Sequence, residues 1–283
     1  MWHSIQADAI RHRIMNGTFE IDGQTSHIPN NEHGGLNPLH GGFVGYDQQN
    51  WTIASQTGNS ITFVFYDQAQ QGFPGDLLNV ATYTLTDEPA WISRMVSIPL
   101  NEATPVMLAN HVYWNLGAFV NKEAITVLND TLYMPYADRI IEVDSILIPT
   151  GQINMTNGTA FDFTHGKQIG SDIFQPLSQG GLNGSSYDNA FILDRPRYAM
   201  EDPALEVLRL SSPSTGIQMS ADQPAGSPDL HLWWPERHDC GQGRPAAYGQ
   251  HYVRGAVRVY CDRDSGRKYM LALRRCGRED KMC

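Results

Sequence analysis

The chain has 283 residues, of which 18% are charged and 41% are apolar, a composition that argues against a disordered chain, a coiled coil or a set of long solvated helices. The formal net charge of −10 argues against a general nucleic-acid binder, because binding to phosphates needs a basic surface. No stretch approaches the roughly 18 consecutive apolar residues of a membrane span. Residues 1–10 lack the apolar core of a secretion signal, so neither a membrane segment nor a signal is expected.

Residues 59–149 predict a series of β-strands, because apolar and polar residues alternate there and β-branched and aromatic types are frequent. Turn signals rich in Gly, Pro and Asp separate the strands, and no long helical period intervenes. The sequence therefore predicts an all-β antiparallel sandwich or barrel. The predicted strands are Ser60–Tyr66, Asn79–Thr86, Trp91–Leu100, Pro105–Leu116, Thr126–Tyr133 and Arg139–Ile148.

The last 59 residues differ sharply in composition from the rest of the chain. Residues 1–224 carry 9 basic and 23 acidic residues, whereas residues 225–283 carry 11 basic and 7 acidic residues and all four cysteines. The cysteine spacings contain no Cys-x-x-Cys pair, so we expect no zinc site there. We predict one β-sandwich domain over residues 1–224 and a divergent basic tail, rich in Cys and Arg, over residues 225–283 that is not native to the fold.

Two histidines lie in surroundings that suit ligand binding. His40 precedes two glycines in Leu39–Gly42, where the backbone can turn tightly and a ligand can approach closely. In Asn110–Leu116, period-2 alternation places His111 on the same strand face as Tyr113. A polar side chain beside an aromatic ring fits a sugar site, although each histidine alone is also typical of a turn or a core position.

Asp188 and Arg13 are the other two candidates. Asp188 lies in Tyr187–Phe191, just before a predicted strand, where an Asp is most often a cap or turn residue. Arg13 alone would pass as a surface cation.

Taken together, these segments resemble the aldose 1-epimerase (galactose mutarotase) family, in particular its fungal-type members. The resemblance begins near residue 13 and extends to about residue 224, roughly three quarters of the chain. Any one segment is weak evidence, but six segments in the family's order are highly specific. They are Asn16–Gly23, Leu39–Gly42 followed by Gly45–Asp47 and Trp51, Gln71–Leu77, Asn110–Leu116, Phe161–Phe163 and Tyr187–Phe191.

The resemblance implies a galactose-mutarotase-like β-supersandwich, here incomplete at both ends, with a sugar in a cleft across the large sheets. It implies interconversion of the α and β anomers of a free aldose such as glucose or galactose, with no metal, no organic cofactor and no protein partner. A general base takes the proton from the anomeric hydroxyl while a general acid protonates the ring oxygen. The ring then opens, the C1–C2 bond rotates and the ring closes on the other face of the carbonyl, which is acid–base chemistry suited to histidine near neutral pH.

By position, the resemblance assigns roles to all four candidates. His111 matches the general acid at the ring oxygen, and His40 matches a second histidine that holds and polarises the sugar. Asp188 matches a carboxylate that bonds sugar hydroxyls. Arg13 matches the arginine of an Asn-Arg motif that also contacts the sugar, but the preceding residue here is His12 rather than Asn.

The family's general base, a glutamate near the carboxyl end on a strand of Val/Ile-x-Glu character, has no counterpart among the acidic residues after Pro224. Read from the second base of each codon, Trp233–Pro235 begins Gly-Gly, and permitted codons give a Tyr-Thr-Cys-Gly-Gly-Gln segment there. The same offset permits an Ile-Val-Ile-Glu segment whose glutamate spans the codons of Arg263 and Asp264. We therefore expect that residues from about 226 onward are a frameshifted reading, although a retained intron boundary or a gene-model error would serve equally well and a genuine basic tail is the alternative. On this interpretation the chain should be poorly active and unstable.

Three alternatives stay open at the level of the sequence. The first is a catalytically inactive carbohydrate-binding module. The second, a hexose-6-phosphate epimerase, would need an Arg/Lys cluster for the phosphate, whereas residues 1–224 have only 9 basic residues. The third is a purely structural β protein. The compartment is not assigned, because six Asn-x-Ser/Thr sequons suit a secreted relative while no signal is evident.

Overall fold

The computed structural model describes residues 13–87, 90–106, 108, 110, 114, 116–117, 126–173, 187–196 and 205–222, and the backbone of residues 229–233, 250–253 and 257–260. Within these ranges the only helical segments are three short 3-10 turns, and sixteen strands make up the regular structure. The strands are β1 (Thr18–Ile21), β2 (Gln24–His27), β3 (Thr52–Gln56), β4 (Ser60–Asp67), β5 (Leu77–Leu85), β6 (Ala90–Pro99), β7 (Thr131–Tyr133), β8 (Arg139–Val143), β9 (Pro149–Met155), β10 (Lys167–Gln168), β11 (Asp188–Ile192), β12 (Glu206–Ser211), β13 (Gln218–Asp222), β14 (Asp229–Trp233), β15 (Gln250–Val253) and β16 (Val257–Tyr260).

The strands form two large antiparallel sheets and one hairpin. The larger sheet has nine strands in the order β10-β7-β12-β13-β16-β6-β5-β4-β3, and the smaller has five in the order β15-β14-β11-β8-β9. Strands β1 and β2 pair only with each other. The predicted all-β antiparallel architecture is confirmed.

The main core lies between the two sheets. Buried side chains from the nine-stranded sheet, such as Leu132 of β7 and Leu210 of β12, belong to the same cluster as Ile140 of β8 and Phe191 of β11 in the five-stranded sheet. Since both sheets contribute to one apolar cluster, they pack as a sandwich. A second cluster under β4 contains Tyr46 and four other aromatic or apolar neighbours: Trp51, Phe63, Phe65 and Leu108.

Period-2 alternation explains why β4 and β5 were predictable. Phe63 and Phe65 of β4 are buried while Tyr66 is exposed, so one strand face contributes to the core. The register places Phe63 opposite Ala81 of β5, which is also buried. The observed strands coincide with the three predictions at residues 60–100 to within two residues. The predicted strand Pro105–Leu116 lies mostly outside the described residues.

Two predicted strands are too long. Residues 127–130 form a turn closed by a hydrogen bond from the Asp130 N–H to the Val127 carbonyl (2.9 Å), so β7 begins only at Thr131. Strand β8 ends at Val143 because the Asp144 carboxylate accepts hydrogen bonds from the N–H groups of Ile146 (3.0 Å) and Ile148 (2.9 Å). A backbone hydrogen bond thus interrupts the first apolar run, and an aspartate side chain interrupts the second.

Three strands fall within residues 225–283. Strand β14 pairs with β11, β15 pairs with β14, and β16 pairs with β13 and β6. The division of the chain into a domain over residues 1–224 and a tail over residues 225–283 that is not native to the fold stays a prediction.

Candidate functional site

His40 occupies a tight turn. The Gly42 N–H donates to the Leu39 carbonyl (3.2 Å), and both central residues have positive φ, 55° at His40 and 80° at Gly41. Two consecutive positive φ values are the requirement of a mirror-image (type I′) turn, and Gly41 adopts that conformation without steric cost. The motif thus presents the imidazole at the corner of a sharp reversal.

Gly42 permits a close approach behind this turn. Its φ is 115°, and a Cβ added there would lie 2.7 Å from the Gln71 Oε1. That same oxygen accepts a hydrogen bond from the Val44 N–H (3.2 Å). Gln71, the first residue of the Gln71–Leu77 motif, therefore supports the chain just after His40.

Arg13 is held by a carboxylate rather than exposed as a surface cation. Its Nε and Nη2 donate to the two oxygens of Glu32 at 2.5 Å and 2.7 Å, and the two side chains are only 14% and 20% exposed. A bidentate pair of this kind fixes the plane of the guanidinium as well as its position. Arg13 is therefore not a free surface cation.

Asn31 connects this pair to the His40 turn. Its Nδ2 donates to the carbonyls of Leu39 (3.1 Å) and Gly42 (2.6 Å), and its Oδ1 accepts from the Leu39 N–H (2.6 Å). Because Asn31 and Glu32 are adjacent, the structure brings Arg13 and the His40 turn to the same short segment. Sequence reasoning missed Asn31 and Glu32, since their partners are identified only by the tertiary fold.

His111 lies outside the described residues, as do Tyr113 and Asn115, so its predicted role stays a prediction. The residue before it, Asn110, lies within the described ranges. Asn110 accepts a hydrogen bond from the Tyr83 hydroxyl (3.2 Å) and donates one to the Ser93 hydroxyl. Burial raises the pKa of Tyr83 to about 12, so this phenol stays a neutral donor at physiological pH.

An aromatic stack leads from Tyr83 toward the far end of the same segment. The rings of Tyr83 and Trp91 are stacked at 5.7 Å, and Trp91 meets Trp114 edge to face at 5.8 Å. Strands β5 and β6 thereby anchor both Asn110 and Trp114, the described residues that flank the His111 position.

Asp188 lies in the five-stranded sheet, whereas β5 and β6 belong to the nine-stranded sheet. It is the first residue of β11, is 7% exposed and pairs with Trp233 of β14. The preceding Tyr187 is 1% exposed and its hydroxyl donates to the Ala160 carbonyl (3.1 Å). Burial raises the pKa of Tyr187, so its hydroxyl also remains a donor.

Aromatic packing fixes the strand that begins at Asp188. Tyr187 meets Phe163 (5.2 Å) and Phe161 (5.6 Å) edge to face, and Phe191 lies within 6.3 Å of both phenylalanines. The motifs Phe161–Phe163 and Tyr187–Phe191 are therefore neighbours in the core, although 24 positions separate Phe163 from Tyr187. The position of Asp188 follows from this packing.

Among the described residues, no group of three or more His, Cys, Asp or Glu side chains could hold a metal ion. Over the same ranges, no helix is long and apolar enough to cross a bilayer. The chemistry that these side chains offer consists of hydrogen bonding and proton transfer: the His40 imidazole, the Arg13 guanidinium and the Asp188 carboxylate.

Comparisons with known proteins identify the family of the chain. A sequence model of the family described as aldose 1-epimerase matches residues 10–260. A protein of Arthroderma benhamiae named "Probable aldose 1-epimerase" is 44% identical over 226 residues, which are 73% of this chain and 50% of that protein. The galactose mutarotase of Homo sapiens is 34% identical over 185 residues, covering 65% of this chain and 50% of its own length.

Solved structures show the same architecture. A GalM/aldose epimerase homologue from C. elegans superposes with a TM-score of 0.70 at 27% identity, covering 87% of this chain and 71% of that one. The galactose 1-epimerase of Lactobacillus acidophilus gives a TM-score of 0.65 at 25% identity, covering 80% and 62%. The galactose-mutarotase-like fold that the resemblance implied is thus confirmed.

The chain spans about half the length of the curated relatives it matches. The match to the family nevertheless covers most of the chain, and the six motifs occur in the family's order. The protein belongs to the aldose 1-epimerase family.

Proposed function

We propose that the protein binds a free aldohexose, galactose or glucose, and that its gene specifies an aldose 1-epimerase. The observation that carries the proposal is the link between Arg13 and the His40 turn through Asn31 and Glu32. This link attaches a cationic donor, Arg13, to the short segment that carries the His40 imidazole. Sugar recognition needs such convergent polar groups at fixed positions.

In the proposed mechanism, Asp188 accepts hydrogen bonds from sugar hydroxyls and Arg13 donates them. His40 bonds and polarises the sugar. His111 protonates the ring oxygen and a general base takes the proton from the anomeric O1 hydroxyl as the ring opens. After rotation about C1–C2, closure on the opposite carbonyl face reverses both proton transfers. A histidine suits both directions because its pKa lies near the working pH.

Catalysis by this chain is expected to be weak, because the expected general base is absent from the sequence as read. No acidic residue after position 224 lies in a Val/Ile-x-Glu context, and general-base catalysis typically contributes about 10²–10⁴-fold. We propose that the base is encoded in the second reading frame, across the codons of Arg263 and Asp264. The same proposal explains the arginines and cysteines of residues 225–283.

A titration of the purified chain with galactose tests the binding proposal. Wild type should bind galactose saturably, with a dissociation constant within or near the range of about 1 μM to 1 mM usual for enzyme substrates, and Asp188→Asn should weaken binding at least tenfold. Sorbitol, which has the hydroxyls but no ring, serves as the control. Equal binding of sorbitol and galactose, or none of either, would count against a sugar site.

The transcript sequence across codons 220–270 tests the reading-frame proposal separately. Codons that give Tyr-Thr-Cys-Gly-Gly-Gln and Ile-Val-Ile-Glu in the second frame would support it. Codons that exclude both segments would contradict it. The absent base would then favour the second candidate function, a sugar-binding protein that does not accelerate mutarotation.

A further inference from the structure

We propose that Asn31 and Glu32 are positioning residues that fix Arg13 and the His40 turn relative to each other, so that both meet one sugar. This inference rests on the proposed function and deepens it. Glu32 acts through Arg13, and Asn31 acts through the backbone on either side of His40.

The Glu32 side of the pair orders the arginine before any ligand arrives. The two hydrogen bonds from Nε and Nη2 hold the guanidinium in one plane, and both side chains are more than three quarters buried. An unrestrained arginine would lose rotamer freedom on binding, a cost that this geometry removes in advance. The fork uses Nε and Nη2, so Nη1 is the nitrogen assigned to a sugar hydroxyl.

The Asn31 side fixes the turn at both ends. Its amide nitrogen donates to the carbonyls of Leu39 and Gly42, and its amide oxygen accepts from the Leu39 N–H. Those two residues enclose His40 and Gly41, both at positive φ. An aspartate in place of Asn31 would keep an acceptor and lose both donors, leaving its carboxylate against two carbonyl oxygens.

The two sides are coupled because they belong to one small hairpin. The N–H groups of Asn31 and Glu32 both donate to the Asn37 carbonyl, at 3.1 Å and 3.0 Å, and Glu32 and Asn37 form a β-bridge. The Glu32 carbonyl in turn accepts from Gly35 (3.0 Å) and Leu36 (3.1 Å). A shift of one side chain would therefore move the other.

Calorimetric titration with galactose tests the inference on the full chain. Glu32→Gln and Asn31→Asp should each weaken galactose binding about tenfold, a factor that corresponds to about 1.4 kcal/mol. The matched controls are Glu20→Gln, at an exposed position of β1, and Asn59→Asp, between β3 and β4, whose Nδ2 donates to the Leu85 carbonyl (3.1 Å). Both controls should bind galactose like wild type.

A double-mutant cycle distinguishes positioning from a general loss of structure. In an Arg13→Ala background, adding Glu32→Gln should cause no further loss of affinity, because the arginine through which Glu32 acts is gone. Additive losses in this cycle would overturn the assignment of Glu32. Unchanged affinity in Asn31→Asp would overturn that of Asn31.

Thermal unfolding of each variant shows whether it is folded. If Glu32→Gln does not fold, Glu32→Asp keeps the charge, shortens the reach and should still weaken binding. A wild-type chain that binds galactose while both variants bind equally well would defeat the positioning inference alone. A wild-type chain that binds no galactose would defeat the proposed function, and with it this inference.

Discussion

The segment around His40 and the strand that begins at Asp188 hold predicted sugar-binding residues in contrasting ways. His40 lies in a turn fixed by the side chain of Asn31. Asp188 begins a strand of the five-stranded sheet, beside a cluster of buried aromatic rings. The first arrangement depends on a few polar contacts, and the second depends on the core. Changes to polar side chains near His40 should therefore alter binding with less loss of stability than changes around β11, which should alter both.

The largest effect is expected in the aromatic core. Phe163 is fully buried against Tyr187 and Phe191, so Phe163→Ala should lower the free energy of unfolding by about 3–5 kcal/mol. Denaturant unfolding measures the change. Ile53→Ala, at a side chain that is 52% exposed on β3, is the control and should stay within about 0.5 kcal/mol. Similar losses in the two variants would show that β11 is not supported by this cluster.

A smaller effect on stability is expected behind the His40 turn. Gly42→Ala introduces a Cβ at a φ of 115° and 2.7 Å from the Gln71 Oε1, and should cost about 1–3 kcal/mol. Adding Gln71→Ala should relieve the clash and leave the backbone strain, so part of the loss should return. Thermal unfolding of the single and double variants measures both. A Gly42→Ala variant as stable as wild type would mean that the turn is not held as described.

His40 itself should affect binding and not stability. Asparagine tolerates the positive φ at this position, so His40→Asn should keep the turn while removing the imidazole. We expect about a tenfold loss of galactose affinity, or about 1.4 kcal/mol, and an unchanged unfolding midpoint. His165→Asn is the matched control, since His165 is an exposed histidine outside the segment that holds His40. Equal loss in both variants would contradict a specific role for His40.

The smallest effect concerns the ion pair between Arg139, the first residue of β8, and Asp194, which follows the end of β11. Hydrogen bonds from Arg139 hold the pKa of Asp194 below its usual range, although both side chains are about one third exposed. A lowered folded-state pKa adds stability above the unfolded pKa of about 3.9 and loses it as pH falls through the folded value. Asp194→Asn should cost under about 1 kcal/mol at pH 7. The difference from wild type should shrink as pH falls below about 3.9 and through the lowered folded-state pKa of Asp194.

Urea unfolding of wild type and Asp194→Asn between pH 7 and pH 2 measures this trend. Convergence of the two stabilities at low pH is the expected result. A constant difference across that range would mean that the loss arises from packing and not from the charge of Asp194.

Local sequence patterns account for part of the fold. Alternation predicted β4 and β5, along parts of which buried and less buried residues alternate. The same patterns extended β7 and β8 too far, since pattern alone shows neither the backbone hydrogen bond from Asp130 to Val127 nor the N–H groups that the Asp144 carboxylate meets. The sheet order was not predictable from pattern alone, because β16 joins β6 across some 160 residues.

Part of the candidate site was likewise predictable from sequence motifs, and part was not. His40, Asp188 and Arg13 were identified from motifs that resemble the family, and the glycines around His40 indicated a tight turn. Asn31 and Glu32 carry no such signal, because an asparagine and a glutamate before a Gly-rich turn are common on any surface. Their importance depends on side chains and carbonyls up to 19 positions away.

Anomer exchange of galactose, followed by magnetisation transfer in ¹H NMR, tests the central claim most directly. The purified chain and the Escherichia coli aldose 1-epimerase, to which it is 35% identical over 182 residues, would be measured side by side at equal concentration. The chain should bind galactose, seen as broadening of the anomeric resonances, yet exchange the anomers at least about a hundredfold more slowly, as loss of a general base predicts. Exchange as fast as that of the relative would contradict the claim that this chain lacks its base.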